Sequence, residues 1–355
     1  MTSGKQNAIR LITALIVLLS GCTSISVTGN MKPLKAPVQA FYATDRNNTG
    51  ATDAAKKYGY ERSSLTYGMA QITIPDDHRI GKLIPSSFEH EKRQQRESLD
   101  LSVLSREELL NRLTQNMAAS KEKRVLIYVH GYNMTFDEAA LGIGQIVSDL
   151  DFKGCSLFFS WPSQGHISGY IADETSLLWA EKDLVKVLED VALYSGSKNI
   201  YLIGHSMGAR ALTIAFMELL QKKPHLKGLF KSLILAAPDI DADIFNRDIA
   251  PALAKSGARV TLYVSGKDRA LKLSKRLHAF SRAGEVNGEA IITSGIETID
   301  ATNVETGTLG HSYYRDSRTV LSDIYYILKK DLNADERFSL EPVDSSEGRY
   351  WKFKE

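Results

Sequence analysis

Gly204-His205-Ser206-Met207-Gly208 is the segment of this 355-residue chain whose residue types and spacing point to a reaction. A serine with glycine two residues away on either side suits a sharp strand-to-helix bend. Side chains at both glycine positions would collide with the strand and helix that close it. The flanks agree: Asn199 to Ile203 reads as the strand running in and Met207 to Gln221 as the helix running out. Such a bend holds the Ser206 hydroxyl above a helix N-terminus, whose dipole favours developing negative charge. The chemistry implied is attack on an acyl carbonyl, with the Met207 backbone N–H donating to the oxyanion. A serine that merely caps the helix is the plainer alternative.

A serine nucleophile needs a base, and partners of this bend are expected in the order serine, acid, histidine. Of the histidines after Ser206, His225 lies in a basic turn and His278 on a Lys/Arg-rich helix face. His311 falls after the last strand candidate of the core and before the last helix candidate, so it is the expected base. Asp239, Asp241, Asp243 and Asp268 are the acid candidates. Asp268, which follows the run Val260 to Val264, is preferred, and Asp239 after the preceding strand is the alternative. The acid left over is expected to cap a helix or bond a loop. A second oxyanion donor is assigned to the Tyr132 backbone, in His130-Gly131-Tyr132-Asn133, because Gly131 lets that loop approach the substrate closely. His130 is expected to hold the loop rather than to react.

The elements that must position these groups are legible as a rhythm. Short apolar runs at 125–129, 156–160, 200–203, 232–236, 260–264 and 296–299 alternate with helix candidates near 136–150, 173–194, 207–222, 243–255, 269–280 and 316–330. Continuous apolar strands alternating with helices predict an α/β architecture, a largely parallel sheet covered on both faces. This core is expected over residues 124–330. Residues 37–123 read as an N-terminal extension of strands at 38–43 and 67–74, a polar turn at 45–50, and a charged amphipathic helix around Leu101 to Leu113. That extension covers the pocket or widens the sheet; the sequence leaves both open. Residues 331–355 read as a polar C-terminal tail whose aromatics dock on the body.

The first residues read as an address. Lys5 and Arg10 precede the apolar run Leu11 to Leu19, which is too short to span a bilayer and fits a signal peptide over residues 1–21. Leu19-Ser20-Gly21-Cys22 resembles the lipobox of bacterial lipoproteins. That resemblance implies acylation of Cys22, cleavage before it, and anchoring in the cell envelope. Thr23 favours the outer membrane, facing the periplasm. Residues 22–36 then form the tether, rich in Ser, Thr, Gly and Asn. The net charge of +2 is accounted for by Lys5 and Arg10, so the chain from Cys22 is balanced and gives no electrostatic reason to expect nucleic acid. Cys155, the other of the two cysteines, reads as an inert core thiol.

Phe41-Tyr-Ala-Thr-Asp-Arg46, His130-Gly-Tyr-Asn133, Ser160-Trp-Pro-Ser163, Gly204-His-Ser-Met-Gly208, Ala237-Pro-Asp239 and Gly310-His-Ser-Tyr-Tyr314, in this order, resemble an uncharacterised bacterial α/β-hydrolase family of esterase/lipase-like type. The resemblance covers residues 38 to 330. It implies the α/β-hydrolase fold, a Ser206-Asp268-His311 triad, no cofactor, and a small acyl-ester or lipid substrate. No metal-ligand cluster, phosphate loop or dinucleotide fingerprint stands in the sequence. The expected function is a membrane-anchored serine hydrolase working through an acyl-enzyme. An acyltransferase, thioesterase or peptidase with the same triad, and a non-catalytic envelope binding module, are the alternatives. Trp161, Tyr132, Tyr170, Tyr313 and Tyr314 either line an acyl pocket or pack the loops. Arg210 and Arg315 either are solvated on helix surfaces or bind a substrate carboxylate or phosphate.

Overall fold

Strands with no polar alternation must be covered on both faces. Val125–Val129 (β4), Cys155–Ser160 (β5) and Ile200–His205 (β6) are buried at every position. A computed structural model describes residues 36–82, 99–286, 288, 290–307 and 309–354; the expected signal peptide and Cys22 lie outside the described residues. The remaining strands are β1 (Val38–Asn48), β2 (Tyr58–Ile72), β3 (Leu99–Leu104), β7 (Phe230–Ala236), β8 (Arg259–Val264), β9 (Ile296–Asp300), β10 (Leu340–Ser345) and β11 (Gly348–Phe353). They form one sheet in the order β10-β11-β9-β8-β7-β6-β4-β5-β1-β2-β3. Every pairing from β11 through β9, β8, β7, β6, β4 and β5 to β1 is parallel; β2, β3 and β10 add antiparallel edges. This is the largely parallel sheet that the sequence rhythm predicts, and the α/β-hydrolase arrangement that the resemblance implies.

Alternate residues of each central strand point to opposite faces. Val125, Ile127 and Val129 join one apolar cluster with residues of α1 (Arg106–Ala119), α3 (Tyr170–Tyr194) and α4 (Met207–Lys222). Leu126 and Tyr128 join the other, with α2 (Phe136–Asp149), α6 (Tyr313–Asp316) and α7 (Arg318–Tyr325). The helix α5 (Arg269–His278) follows β8 directly. Among the described residues, no helix is long and apolar enough to cross a membrane.

Several boundaries differ from expectation, each for a local reason. The polar stretch 45–50 is not a turn throughout, since β1 runs on to Asn48 with Thr44, Asp45 and Arg46 buried and the register shifting as it pairs β2. Leu101 and Leu104 belong to β3 rather than to a helix. The helix starts at Arg106, where Ser105 and Glu108 form a reciprocal capping box. The described strands of the extension, β1, β2 and β3, widen the sheet. Residues 331–354 are more than a tail docked by its aromatics: β10 and β11 form a hairpin, and Trp351 and Lys352 pair in parallel with Ile299 and Asp300 of β9.

Candidate active site

Ser206 stands between β6 and α4 with φ 53° and ψ −124°, a backbone conformation that costs energy for a residue bearing a Cβ. Its neighbours hold it there. The Ser206 N–H donates to the Ala236 carbonyl of β7 (3.0 Å), and the Ser206 carbonyl accepts from Ala209 (3.0 Å) and Asp239 (3.2 Å) backbone N–H groups. Both glycines are required by space. A Cβ at 204 would sit 2.7 Å from the Ala209 Cα, and one at 208 would sit 2.0 Å from the His130 carbonyl oxygen. The second contact matters most, because it packs the start of α4 directly against the loop after β4.

His311 and Asp268 meet although 43 residues apart: His311 Nδ1 donates to Asp268 Oδ2 at 2.7 Å. Since a carboxylate can only accept here, the proton is on Nδ1 and the Nε2 lone pair is left free. The other oxygen, Asp268 Oδ1, accepts from the Leu271 N–H at 2.9 Å and caps α5, so the cap of the helix fixes the carboxylate. Burial opposes charging His311, but the Asp268 carboxylate outweighs it and holds the imidazole above the usual histidine range. The alternative acid, Asp239, is engaged elsewhere. It forms a buried ion pair with Arg282 (2.6 Å) and accepts from Ser274 and Tyr170 hydroxyls. Burial pushes its carboxyl up, yet Arg282 keeps it below the ordinary range. Asp241 caps the helical turn Ala242–Ile244, and Asp243 is exposed. Among the other histidines, His278 pairs with Glu174 (3.1 Å), as does Arg210 (3.0 Å). His225 lies exposed in the turn after α4.

The loop His130–Met134 is held by residues whose part the sequence did not disclose. Arg46, 2% exposed, reaches in from the end of β1. Its guanidinium donates to the carbonyls of Met134 (2.7 Å), Ser163 (2.9 Å) and Gly59 (2.9 Å) and to Ser160 Oγ (2.9 Å). Asp173 accepts from Ser163 Oγ (2.6 Å) and the Gln164 N–H (2.8 Å), with the Asn133 N–H at 3.5 Å. Asn133 itself is left-handed, φ 57°. His130 is buried and stacks on Trp161, whose Nε1 donates to the His130 carbonyl (2.8 Å). Burial, then Arg46, lowers its pKa to about 3, so the ring is neutral and structural. The signal for Arg46 and Asp173 was present only as charges beside apolar residues at element ends.

Ser206, His311, Tyr132, Asp239 and Arg315 line one cavity of about 590 Å³ at the carboxyl ends of the parallel strands. Leu271, Leu273 and Leu277 of α5, with Ile167, Leu141 and Leu309, make much of its wall apolar. The aromatic residues divide: Tyr132 and Tyr170 face the cavity, whereas Trp161, Tyr313 and Tyr314 are buried packing. Tyr314 stacks on His205 (4.5 Å between centroids), and the Tyr313 hydroxyl donates to the Tyr263 carbonyl. His205 donates from Nε2 to the His311 carbonyl (3.0 Å), tying the loop that carries His311 to the serine bend. Burial, then the neighbouring His311, keeps His205 neutral, well below the usual histidine range. Cys155 is a buried free thiol pushed up to about 11 by burial, as expected of an inert core residue. Among the described residues, no cluster of His, Cys, Asp or Glu forms a metal-holding group.

The sequence matches the family described as α/β hydrolases of unknown function (DUF900) over residues 105–329. Among curated proteins, none matches. Similar solved structures include a predicted CIB-like hydrolase from Thermoplasma acidophilum, at 14% identity, covering 83% of this chain and 99% of that one with a TM-score of 0.37. The carboxylesterase EstE1, cloned from a metagenomic library, is 10% identical, covering 64% of this chain and 98% of its own, TM-score 0.29. Lipase B from Aspergillus fumigatus is 13% identical over 50% of this chain and 44% of its own, TM-score 0.33.

Proposed function

The chain belongs to the family of α/β hydrolases of unknown function, and from that membership we propose that it is a serine hydrolase of carboxylic esters, with Ser206, His311 and Asp268 as its triad. The observation that carries the reading is the His311–Asp268 hydrogen bond at 2.7 Å, with His311 and Ser206 lining one cavity. The Nδ1 proton is committed to Asp268, so Nε2 accepts the Ser206 proton as Oγ attacks the acyl carbonyl carbon. The Tyr132 and Met207 backbone N–H groups receive the oxyanion. His311 returns the proton to the leaving alkoxide, and an acyl-Ser206 ester remains. Water then attacks that ester with His311 again as base, releasing the acid and restoring the serine. Asp268 stabilises the imidazolium in both halves without taking its proton. The apolar wall from α5 suits an acyl chain, which favours a small ester or lipid substrate.

Ser206→Ala is expected to abolish both hydrolysis of short p-nitrophenyl esters and labelling by a fluorophosphonate probe. Equal labelling of the variant and the wild type would remove Ser206 as nucleophile. The lipobox-like Leu19-Ser20-Gly21-Cys22 supports a further part of the reading: a lipid on Cys22 anchors the chain to the bacterial envelope, in the outer membrane facing the periplasm. A labelled fatty acid is expected to enter the wild-type protein in cells and not the Cys22→Ser variant.

A further inference from the structure

Arg315 is a cation of the candidate site that no carboxylate grips among the described residues, although Glu138 lines the same cavity. Its side chain lines the same cavity as Ser206 and His311, four residues along the chain from the latter. Among the described residues it makes no ion pair and no side-chain hydrogen bond, and its Nε is buried without any partner. Arg315 as a whole is half-buried, but a buried donor such as its Nε ordinarily finds an acceptor, because an unpaired buried donor forfeits its hydration. The carboxylates nearest in charge are directed elsewhere. Glu138 accepts from the backbone N–H and hydroxyl of Thr135, and Asp316 accepts from Thr306 and Gly307. Burial opposes the charge of Arg315, but the guanidinium stays charged, with Glu138 and Asp316 among the groups that favour it.

The room for this group is built by a glycine. Gly142 of α2 has no Cβ where one would come within 3.3 Å of the Arg315 guanidinium and 3.4 Å of the Tyr128 ring. The Gln145 amide, one turn on, donates to the Arg315 carbonyl at 2.7 Å and fixes the backbone that carries it. The other arginine lining the cavity, Arg269, is exposed, so its donors are not cut off from solvent.

We propose that Arg315 is the receptor for an anionic group, a carboxylate or a phosphoryl oxyanion, on the ester that Ser206 attacks. The site then takes amphiphilic substrates, with the apolar part against the α5 leucines and the anion on Arg315. This rests on the serine-hydrolase reading above and adds the substrate class to it. A planar guanidinium matches either anion with two parallel hydrogen bonds, so both are the same chemistry at this position.

Two pairs of esters test it by ratio, which cancels any general loss of activity. On the acyl side, mono-p-nitrophenyl adipate is compared with its uncharged carbamoyl counterpart, and a terminal phosphonate analogue separates phosphoryl from carboxylate. On the alcohol side, 4-acetoxybenzoate is compared with 4-acetoxybenzamide. Wild type is expected to prefer the anion in at least one pair by about 10-fold to 100-fold in kcat/KM, the range of a hydrogen-bonded charge pair. Arg315→Gln is expected to bring that ratio to about 1, and Arg315→Lys, a point charge without the fork, to restore part of it. Arg269→Gln, which changes an exposed side chain, is expected to hold the wild-type ratio. A wild-type ratio at or below 1 in both pairs overturns the proposal. So does a preference that survives in folded Arg315→Gln, or one that collapses in Arg269→Gln. If no ester is turned over and the fluorophosphonate does not label the protein, the hydrolase reading has failed instead.

Discussion

Asp268 serves two partners with two oxygens, and that division makes its role testable apart from folding. Oδ1 caps α5 and Oδ2 orients His311. In Asp268→Asn the amide oxygen still caps the helix, but the amide nitrogen cannot accept the Nδ1 proton, so the imidazole loses its fixed tautomer. A folded protein is expected with kcat lower by about 10³–10⁴. The pH profile carries the sign. His311 is above the ordinary histidine value of about 6.5, and only its neutral form accepts a proton, so wild-type kcat/KM falls as pH drops through a value above about 6.5. Without the Asp268 charge, the largest influence opposing burial is gone and the acid limb moves to lower pH. An acid limb that stays in place in the variant would detach Asp268 from the base. The meeting of His311 with Asp268, and of His311 with Ser206 at one cavity, was legible because chain order and element ends leave few candidates. Arg46 was not, since a charge in a polar turn reads as solvent-facing until the carbonyls that receive it are seen.

The bend at Ser206 works as an element only because the loop after β4 leans on it. Its point of contact is Gly208, 2.0 Å from the His130 carbonyl oxygen once a Cβ is added. Gly208→Ala must push that loop outward or unwind the first turn of α4. Overpacking of this kind costs about 1–3 kcal/mol. Displacing one oxyanion donor with the loop is expected to lower kcat by about 10²–10³ on top of that. Gly228→Ala, where a Cβ meets nothing within 4 Å, serves as the comparison and is expected to be silent in both denaturant midpoint and turnover. A Gly208→Ala enzyme that is destabilised yet turns over normally would show that the loop carries no donor. Much of this element was readable from sequence, because two glycines around a serine between strand and helix have few other uses. The extension before β4 was harder. Leu101 and Leu104 sit at helical spacing with Leu109 and Leu113, and only the Ser105-x-x-Glu108 capping box, which arrests the helix at Arg106, separates strand from helix.

At the scale of the whole molecule, a parallel sheet ends in an exposed edge unless something closes it. Here β11 closes β9, and β10 then becomes the outer edge, with Pro342 on it where a missing N–H does no harm. The short polar strands and the proline explain why this segment read as a tail. Its root is the buried Arg337, whose guanidinium bonds Asp323 of α7 (2.9 Å) and Glu297 of β9 (2.7 Å). Burial holds the Asp323 carboxyl above the usual range even with Arg337 beside it. The folded state therefore binds more protons at this site than the unfolded chain, and the stability it contributes is lost as pH rises through the raised value. Arg337→Met takes away the cation that opposes this shift, so Asp323 must stay protonated to higher pH or be buried as an unpaired charge. Breaking such a pair costs about 3–5 kcal/mol. The deficit against wild type is expected to widen as pH is raised from about 5 to about 8, as thermal unfolding would read it. Adding Asp323→Asn to Arg337→Met is expected to recover part of the loss at the higher pH and little at the lower. A deficit independent of pH, or a double variant no better than the single one, would mean that the hairpin is held by packing alone and that the ion pair at its root is incidental.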